Sequence, residues 1–267
     1  MPHRTEAAAG NRLTGTQSIE RALTLLREIA AHNRGGSRLL DLATRTGLQR
    51  PTVHRMLKCL AAEAMVQQDP DSHRDFLGSM MFELGLTAAP RFNLREICQP
   101  ALTRIAEATG DTVFLTQRSG LDSVCLDRRE GTFPIKTFTL EIGMRRPLGV
   151  GTGSLAILSA LTEEEIQRVV TANAARLPEY GLTAPVLLGQ VKKSQKLGYA
   201  MRDVSGLAGV RSVGQTLRNQ SGMAFAAISV STISSRMSEK RAVEVAQLLK
   251  GESRQIERQV ANGAERR

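Results

Sequence analysis

Aromatic residues are scarce in this chain of 267 residues, which has no tryptophan and only two tyrosines, Tyr180 and Tyr199. Proteins that bind single-stranded nucleic acid or RNA by base stacking need exposed rows of aromatic side chains. The sequence shows no such row. The scarcity therefore argues against an RNA-binding protein.

Cysteine and histidine are equally scarce. The cysteines at 59, 98 and 125 are odd in number and lack the paired spacing of a disulfide framework or a zinc site. Cys59 lies in a helical pattern, where we expect a small core residue. All four histidines precede residue 80, so a Ser–His–Asp or Cys–His arrangement would need a histidine from the first third of the chain. We expect no catalytic residue, no metal and no cofactor.

Long apolar runs are also absent. No stretch reaches 18 apolar residues, so no transmembrane helix and no membrane partner are predicted. Residues 1–16 are polar and lack the apolar core of a signal peptide, which predicts a disordered arm on a cytoplasmic protein. Positive charge is in excess, with 36 Lys and Arg against 26 Asp and Glu. A basic balance favours nucleic acid or other anionic surfaces.

The most informative segment is residues 39–60, which predict two short helices joined by a tight turn. Gly47 provides the left-handed position that commonly ends a helix, and Pro51 suits the first turn of the next helix. Apolar residues then recur at helical spacing and should face a core: Val53, Met56, Leu57 and Leu60. This is the pattern of a helix-turn-helix, whose second helix enters the major groove of DNA.

The opposite side of the second predicted helix is basic. Residues 34–58 carry six Lys or Arg residues against one acidic residue, Asp41, which suits a polyanion. On this window alone, an amphipathic helix pair with an ordinary solvated face is an equally good interpretation. The neighbouring elements favour DNA binding.

Those neighbours complete a winged helix over residues 17–79. Residues 18–32 form an amphipathic helical pattern with Ser18 at the N-cap position. Residues 65–68 and 75–78 flank a polar turn and predict a β-hairpin, the wing, where Arg74 would reach DNA backbone or minor groove. The predicted DNA contacts are Arg38, Arg50, Pro51, Thr52, His54, Arg55, Lys58 and Arg74.

A linker helix is predicted at residues 80–94, followed by a second domain at 95–260. Its first amphipathic run, 94–109, is interrupted in the prediction by Pro100. Strand patterns occur at 112–117, 123–126, 135–140, 210–217 and 223–230, and helical patterns at 162–171, 184–197 and 238–259. This order indicates an α/β or α+β domain with a largely antiparallel sheet.

A glycine-rich stretch, residues 149–154, precedes an apolar helical pattern at 155–161. It lacks the Gly-Lys-Ser/Thr of a phosphate-binding loop, since Leu155 follows Ser154, and no βαβ unit surrounds it. Two interpretations stay open. Free N–H groups at the helix N-terminus hold a carboxylate, or the glycines only permit close packing of helix on sheet.

An ordered set of short segments resembles the IclR family of bacterial transcriptional regulators, from about residue 17 to residue 259. Each segment alone is a weak signal, but the ordered set is specific. The segments are SIERAL (18–23), PTVHRML (51–57), GMRRPL (143–148), GTG (151–153), LGY (197–199) and AAISVS (226–231).

The resemblance implies an α+β protein: an N-terminal winged helix-turn-helix, a linker helix, and a C-terminal effector-binding domain of GAF-like fold with a mainly antiparallel sheet. It implies dimers or dimers of dimers on palindromic operators in double-stranded DNA. Members of the family respond to small metabolites, often organic or aromatic acids.

The resemblance also implies positions for an effector pocket. The matching residues are Thr152 and Gly153 at the glycine-rich helix start, Val210 and Ser212 on one strand, Ser229 and Ser231 on the last strand, and Phe138 and Met144 as an apolar wall. The chain departs from the pattern at Arg202, near a position that is often acidic in similar proteins. We hypothesise that Arg146, Arg202 or Arg211 pairs with a carboxylate ligand, the alternative for each being an ordinary exposed arginine.

These patterns predict a DNA-binding transcriptional regulator whose operator binding is modulated by a small organic or aromatic acid, and not an enzyme. The alternative is a small-molecule-binding enzyme with an accessory helical N-terminal domain. The missing histidine in the second domain counts against that alternative.

Overall fold

The computed structural model describes residues 16–89, 94–137, 140–203 and 209–265. The chain divides into two compact units, Met1–Arg91 and Phe92–Arg267, called here the N-terminal and C-terminal units. The predicted disordered arm, apart from Thr16, lies outside the described residues. Within the described residues, no helix is long and apolar enough to cross a membrane.

The N-terminal unit contains the predicted helices and hairpin in the predicted order. Its elements are α1 (Gln17–Ala31), α2 (Leu39–Thr46), α3 (Arg50–Ala62), β1 (Val66–Gln68), β2 (Asp75–Leu77) and α4 (Ser79–Ala88). The two strands pair antiparallel, and Ser37 adds a single bridge to Asp75. Whether α4 acts as a linker between domains stays a prediction.

Local sequence sets the helix ends in this unit. Gly47 ends α2 in the left-handed conformation, with a φ of 68°, and Pro51 lies in the first turn of α3. The predicted cap at Ser18 is wrong. The Glu20 N–H already donates to the Thr16 carbonyl, so Ser18 lies inside α1 and Thr16 takes the cap position.

The three helices and the hairpin bury one small core. Its buried residues come from α1, α2, α3 and β1: Leu25, Ile29, Leu42, Ala43, Val53, Leu57, Leu60 and Val66. Cys59, expected in this core, is exposed. It follows Leu57 by two positions, about 200° around the helix, and therefore turns away from the core.

The C-terminal unit contains a six-stranded sheet with helices on both faces. Its helices are α5 (Leu94–Thr109), α6 (Thr152–Ser159), α7 (Glu163–Asn173), α8 (Ala184–Leu197) and α9 (Glu239–Glu265). Its strands are β3 (Thr112–Ser119), β4 (Asp122–Arg129), β5 (Arg145–Pro147), β6 (Ala200–Asp203), β7 (Val210–Arg218) and β8 (Ala224–Ile233).

The strands run in the order β5-β4-β3-β8-β7-β6, and every neighbouring pair is antiparallel. The predicted α+β class and antiparallel sheet are therefore confirmed. The two edge strands β5 and β6 were not predicted, because three or four residues are too few to show an alternating pattern.

The strand predicted at 135–140 is wrong for the residues that the structure describes there, 135–137 and 140, which are outside any strand. The segment lies against β8, which already pairs with β3 on one side and β7 on the other and so has no free side for a further strand. The segment instead contacts β8 through Thr137, whose hydroxyl donates to the Ser231 carbonyl at 3.0 Å.

Helix α5 also differs from its prediction, because it continues through Pro100. A proline inside a helix removes one backbone hydrogen bond. Burial of the face that carries Cys98, Leu102 and Ile105 offsets that loss.

The two faces of the sheet have different characters, because side chains alternate along a strand. One face is apolar and packs on α5 and α9 through Val113, Val213 and Val230. The other, called here the α6 face, packs on α6. Strand pairing aligns Arg202 with Ser212 and Ser212 with Ser231, so these three residues form a polar row across the sheet. The row lies on the α6 face. Ala200 and Gly214, two positions along the same strands, pair with each other on that face.

A buried carboxylate fastens the end of the sheet to α9. Asp111 accepts hydrogen bonds from the Thr232 hydroxyl at 2.7 Å, Arg236 Nε at 3.2 Å and Arg241 Nη2 at 2.8 Å. The Arg236 guanidinium also stacks over the Phe133 ring, 3.8 Å from its centroid. Asp111 therefore joins β3, β8 and the start of α9.

Candidate functional site

Helix α3 presents a basic surface opposite its buried face. Arg50, Pro51, His54, Arg55 and Lys58 are exposed and form what we call the α3 surface. Burial of the residues on the opposite side holds the helix in place, so these side chains point into solvent. Exposed guanidinium and ammonium groups on the first two turns of a helix can donate to phosphate oxygens and base edges.

Two further predicted contacts flank this surface. Thr52 is half-buried at the start of α3, and Arg38 is exposed at the N-cap position of α2. Five of the six predicted α3 residues are therefore exposed, and Thr52 is half-buried beside them. Their role in DNA contact stays a prediction.

The wing is held by its own polar side chains. Arg74 Nη1 donates to the carbonyls of Gly35 and Gly36, each at 3.1 Å, so its guanidinium ties the wing to the loop before α2. Asp69 accepts from the Ser72 hydroxyl and N–H, and these bonds lower the pKa of Asp69. Arg74 therefore has a structural role, while its contact with DNA stays a prediction.

In the C-terminal unit, the start of α6 lies against the middle of the sheet. Gly151 occupies its N-cap position with a φ of 90°, and the Gly149 N–H donates to the Ser154 hydroxyl at 2.7 Å. A Cβ added to Gly153 would lie 3.0 Å from Thr116 Oγ1 and 3.4 Å from Ser229 Oγ. Gly153 thus permits close packing of the helix on the sheet. Anion binding by the first N–H groups of α6 stays a prediction.

Hydroxyl groups line the sheet beside this helix start. Ser212 Oγ donates to the Val230 carbonyl at 3.0 Å and is hydrogen-bonded to Ser231 Oγ. Thr116 Oγ1 and Thr152 Oγ1 are buried and have no hydrogen-bond partner among the described residues. Buried hydroxyls without a partner carry a free-energy cost that a ligand can remove.

Most of the predicted pocket residues therefore lie on or beside the α6 face. Met144 lines a small cavity there with Arg146, Thr116 and Ser154. Val210 is buried on β7, two residues before Ser212. Phe138 lies outside the described residues. The cavity measures about 10 Å³, so side chains must move before it reaches the few hundred Å³ of an ordinary ligand site.

The three candidate arginines differ in their surroundings. Arg202 is only 7% exposed and donates from Nη1 to the Gly149 carbonyl at 3.2 Å. Burial, with the nearby charge of Arg146, lowers the pKa of Arg202 to about 10. Burial also lowers the pKa of Arg146, whose guanidinium lies 5.8 Å from the Tyr180 ring centroid.

Arg211 is unlike the other two. It pairs with Asp203 at 2.9 Å and with Glu239 at 3.3 Å, and the hydrogen bond to Asp203 raises its pKa. Burial therefore affects Arg146 and Arg202, whereas Arg211 is engaged by Asp203 and Glu239.

Comparison with known protein families decides the identity of the two units. The model of the IclR helix-turn-helix domain matches residues 18–70. The model of the bacterial transcriptional regulator IclR C-terminal domain matches residues 86–258. The chain belongs to the IclR family of bacterial transcriptional regulators.

Individual relatives agree with this assignment. The transcriptional repressor AllR of Escherichia coli K12 is 26% identical over 244 residues, which cover 91% of this chain and 89% of that protein. A regulator from Silicibacter has a TM-score of 0.77 at 20% identity, covering 91% of this chain and 96% of its own. An IclR homologue from Microbacterium hydrocarbonoxydans, solved with 4-hydroxybenzoate, has a TM-score of 0.68 at 18% identity, covering 90% and 98%.

As an IclR-family regulator, the chain carries an IclR-type helix-turn-helix for DNA binding and a C-terminal effector-binding domain. The sequence missed Thr116 on β3, which lines the small cavity with Met144 and Arg146. Its signal was weak, because Thr116 lies in an otherwise ordinary strand pattern and only the approach of Gly153 makes it a wall of the cavity.

Proposed function

We propose that this IclR-family regulator binds a palindromic operator as a dimer or dimer of dimers, with α3 in the major groove. A small carboxylate, bound on the α6 face, modulates that binding. The observation that carries the first part is the division of α3 into a buried apolar face and an exposed basic face.

The contacts divide by position on α3. Arg50, Thr52 and Arg55 lie toward the end of the helix that reaches base edges in helix-turn-helix proteins. Lys58, His54 and Arg38 flank them and suit the phosphate backbone, which fixes orientation but reads no sequence.

A mobility-shift titration tests this assignment on a duplex selected from random DNA by the wild-type chain. The triple variant Arg50→Ala, Thr52→Ala, Arg55→Ala should lose specific binding. A control with Arg27→Ala and Lys240→Ala removes the same number of exposed cations elsewhere and should bind nearly as wild type. Unchanged affinity in the triple variant would refute the assignment. Wild-type affinity should also fall steeply with salt, because phosphate contacts release counterions.

The effector proposal is supported by the position of polar groups on the α6 face. The first N–H groups of α6 and the hydroxyls of Thr116 and Thr152, which have no partner among the described residues, can donate to an anion in the region beside Gly153 and Ser229. A helix N-terminus favours negative charge, and hydroxyls add directed donors to a carboxylate. The homologue solved with 4-hydroxybenzoate also holds an acid.

A thermal-shift screen of organic and aromatic acids on the full chain tests the site. An acid that raises the melting temperature of the wild type should raise it far less in Ser229→Leu, whose larger side chain would fill the region beside Gly153. Ser235→Leu, at an exposed position, is the control. Equal shifts in Ser229→Leu and wild type would place the ligand elsewhere.

Self-association is supported by apolar side chains that the N-terminal unit leaves exposed. Ile19 and Leu23 lie on one side of α1, and Phe82 and Leu86 lie on one side of α4. Ile19 and Phe82 are 60% and 68% exposed, which is typical of surfaces that a second copy covers.

Light scattering coupled to size exclusion tests these faces. The variant Ile19→Glu, Phe82→Glu should have a lower mass than wild type, while Leu40→Glu, also at an exposed leucine, should not. An unchanged mass in the double variant would contradict the assignment. No observation favours the enzyme alternative, and we propose that the chain has no catalytic activity.

A further inference from the structure

A cavity beside the C-terminal half of α9 is separate from the α6 face. It measures about 570 Å³, within the range of ordinary ligand sites. One wall is the end of β7 and the turn that follows it, with Arg218 and Asn219. The other wall is α9, with Arg254, Glu257 and Arg258. None of these residues is among the predicted DNA or effector contacts.

The three arginines of this cavity come together from two elements. Arg254 and Arg258 are four positions apart on α9, so their Cβ atoms lie about 5–6 Å apart on one side of the helix. The Arg218 N–H donates to Glu257 Oε1 at 2.7 Å, which places the end of β7 against the residue next to Arg258.

Two of the guanidinium groups are held in position without being neutralised. Arg218 Nη1 donates to the Gly222 carbonyl at 2.7 Å, and Arg258 Nε donates to the Arg254 carbonyl at 3.3 Å. Each acceptor is an uncharged carbonyl and occupies one of the five N–H donors of a guanidinium. Among the described residues, no acid forms an ion pair with any of the three arginines. Their charge and most of their donors therefore remain available to a ligand.

The lining of the cavity has an excess of positive charge. Glu257 is the one acid among the described residues that line it, and its Oε1 accepts a backbone N–H. Three arginines and one glutamate leave a net charge of +2. Like charges four positions apart on a helix repel each other. An anion with two or more negative charges removes that repulsion.

We propose that this cavity binds an organic phosphate with two adjacent phosphate groups, at a site separate from the proposed effector. The fork of a guanidinium matches two oxygens of a phosphate group, and three forks can hold two such groups. A carboxylate supplies a single negative charge and leaves part of the lining without a counterion. The organic part of the ligand lies beside Ala261, an apolar residue of the lining.

Calorimetric titration of the full chain with inorganic pyrophosphate tests this site, with inorganic phosphate and succinate as comparison anions. Pyrophosphate should bind about ten-fold or more tightly than either, because it alone has two phosphate groups. The variant Arg254→Met, Arg258→Met should bind pyrophosphate about ten-fold or more weakly than wild type. Lys192→Met, Lys193→Met removes two exposed cations from α8 and should bind it as wild type does.

A substitution at Glu257 gives a test of opposite sign. In Glu257→Gln the amide oxygen still accepts the Arg218 N–H, but the negative charge leaves the cavity, so pyrophosphate should bind several-fold more tightly. Glu244→Gln, at an exposed acid of the same helix, is the matched control and should bind as wild type does. The gain in Glu257→Gln tests the site even if the double arginine variant does not fold.

Several results would overturn this site. They are equal affinities for phosphate and pyrophosphate, equal losses in the arginine and lysine variants, and an unchanged affinity in Glu257→Gln. Weaker operator binding in the arginine variant, with pyrophosphate binding unchanged, would assign these arginines to DNA instead. Ser229→Leu alters the α6 face and should leave pyrophosphate binding unchanged, so failure of the acid effector and failure of this site are distinguishable.

Discussion

The two units of this regulator place their arginines in opposite environments. On α3, Arg50 and Arg55 stand in solvent, where a charge costs nothing to maintain and attracts any polyanion. In the C-terminal unit, Arg202 is buried and Arg146 is half-buried, and burial lowers the pKa of both. Exposed cations suit a long phosphate backbone, whereas buried cations suit one small anion of matching shape and charge.

The two units also differ in how many partners their buried carboxylates have. Asp111 in the C-terminal unit accepts from Thr232, Arg236 and Arg241. Asp75 in the N-terminal unit is 2% exposed, and its one partner among the described side chains is Gln68 at 3.4 Å. The C-terminal unit adds a charge network to its larger apolar cores, whereas the N-terminal unit relies on one small apolar core.

The largest effect should come from truncating that small core. Leu57→Ala should lower the free energy of unfolding by about 2–5 kcal/mol. A small domain has few kcal/mol to lose, so the N-terminal unit should unfold while the C-terminal unit still melts cooperatively. Calorimetric scans should show this. Leu249→Ala, in the larger core around α9, is the matched variant, and loss of both transitions in Leu57→Ala would contradict the independence of the units.

The second-largest loss of stability should come from breaking the charge network around Asp111. Asp111→Ala leaves Arg236 and Arg241 without their shared carboxylate and should lower the free energy of unfolding by about 2–4 kcal/mol, since the two arginines remain partly exposed. Denaturant titration of the C-terminal transition measures the change. A loss as small as that of Asp203→Ala, an exposed ion-pair partner, would show that the network is not what fastens α9.

An exposed arginine should affect binding without affecting folding. Arg55→Ala should weaken operator binding by about 1–3 kcal/mol if the side chain makes a good base contact. Its melting temperature should match that of wild type, because Arg55 is exposed. A loss of stability as large as the loss of binding would mean that Arg55 supports the helix and does not read DNA. Arg27→Ala is the control for the removal of one charge.

The smallest effect should come from Asp75. Burial raises the pKa of Asp75 above the ordinary 3.8, with a smaller opposing effect from Gln68. Folding therefore favours the protonated acid, and stability is greatest below the ordinary pKa and falls as pH rises through the raised value. Asp75→Asn should stabilise the N-terminal unit at pH 7 by on the order of 1 kcal/mol, and the gain should vanish below about pH 4. Melting curves across pH measure it; a gain independent of pH would contradict the cause given.

Local patterns predicted most of the fold because they are recorded in consecutive residues. Gly47, Pro51 and the spacing of Val53, Leu57 and Leu60 define α2 and α3 without reference to the rest of the chain. The same logic found the wing and the long strands. Local patterns failed where an element depends on residues far along the chain. Strands β5 and β6 are short and lie at the edges of the sheet. Helix α5 passes through Pro100 because burial of one of its faces offsets the lost hydrogen bond.

The pocket shows the same limit. The resemblance named Thr152, Gly153, Ser212 and Ser229, and the structure places them on or beside one face of the sheet. The sequence left Arg146, Arg202 and Arg211 as equal candidates. The pairing of Arg211 with Asp203 and Glu239 separates it from the other two.

By itself, the sequence determined that a basic helix would be held by an apolar face, because helix periodicity acts within a few residues. Only the tertiary structure decided which cations lose contact with water. Arg146 and Arg202 are 56 positions apart on opposite edges of a sheet. Their burial depends on how the six strands pair and on what packs against them, which no run of neighbouring residues records.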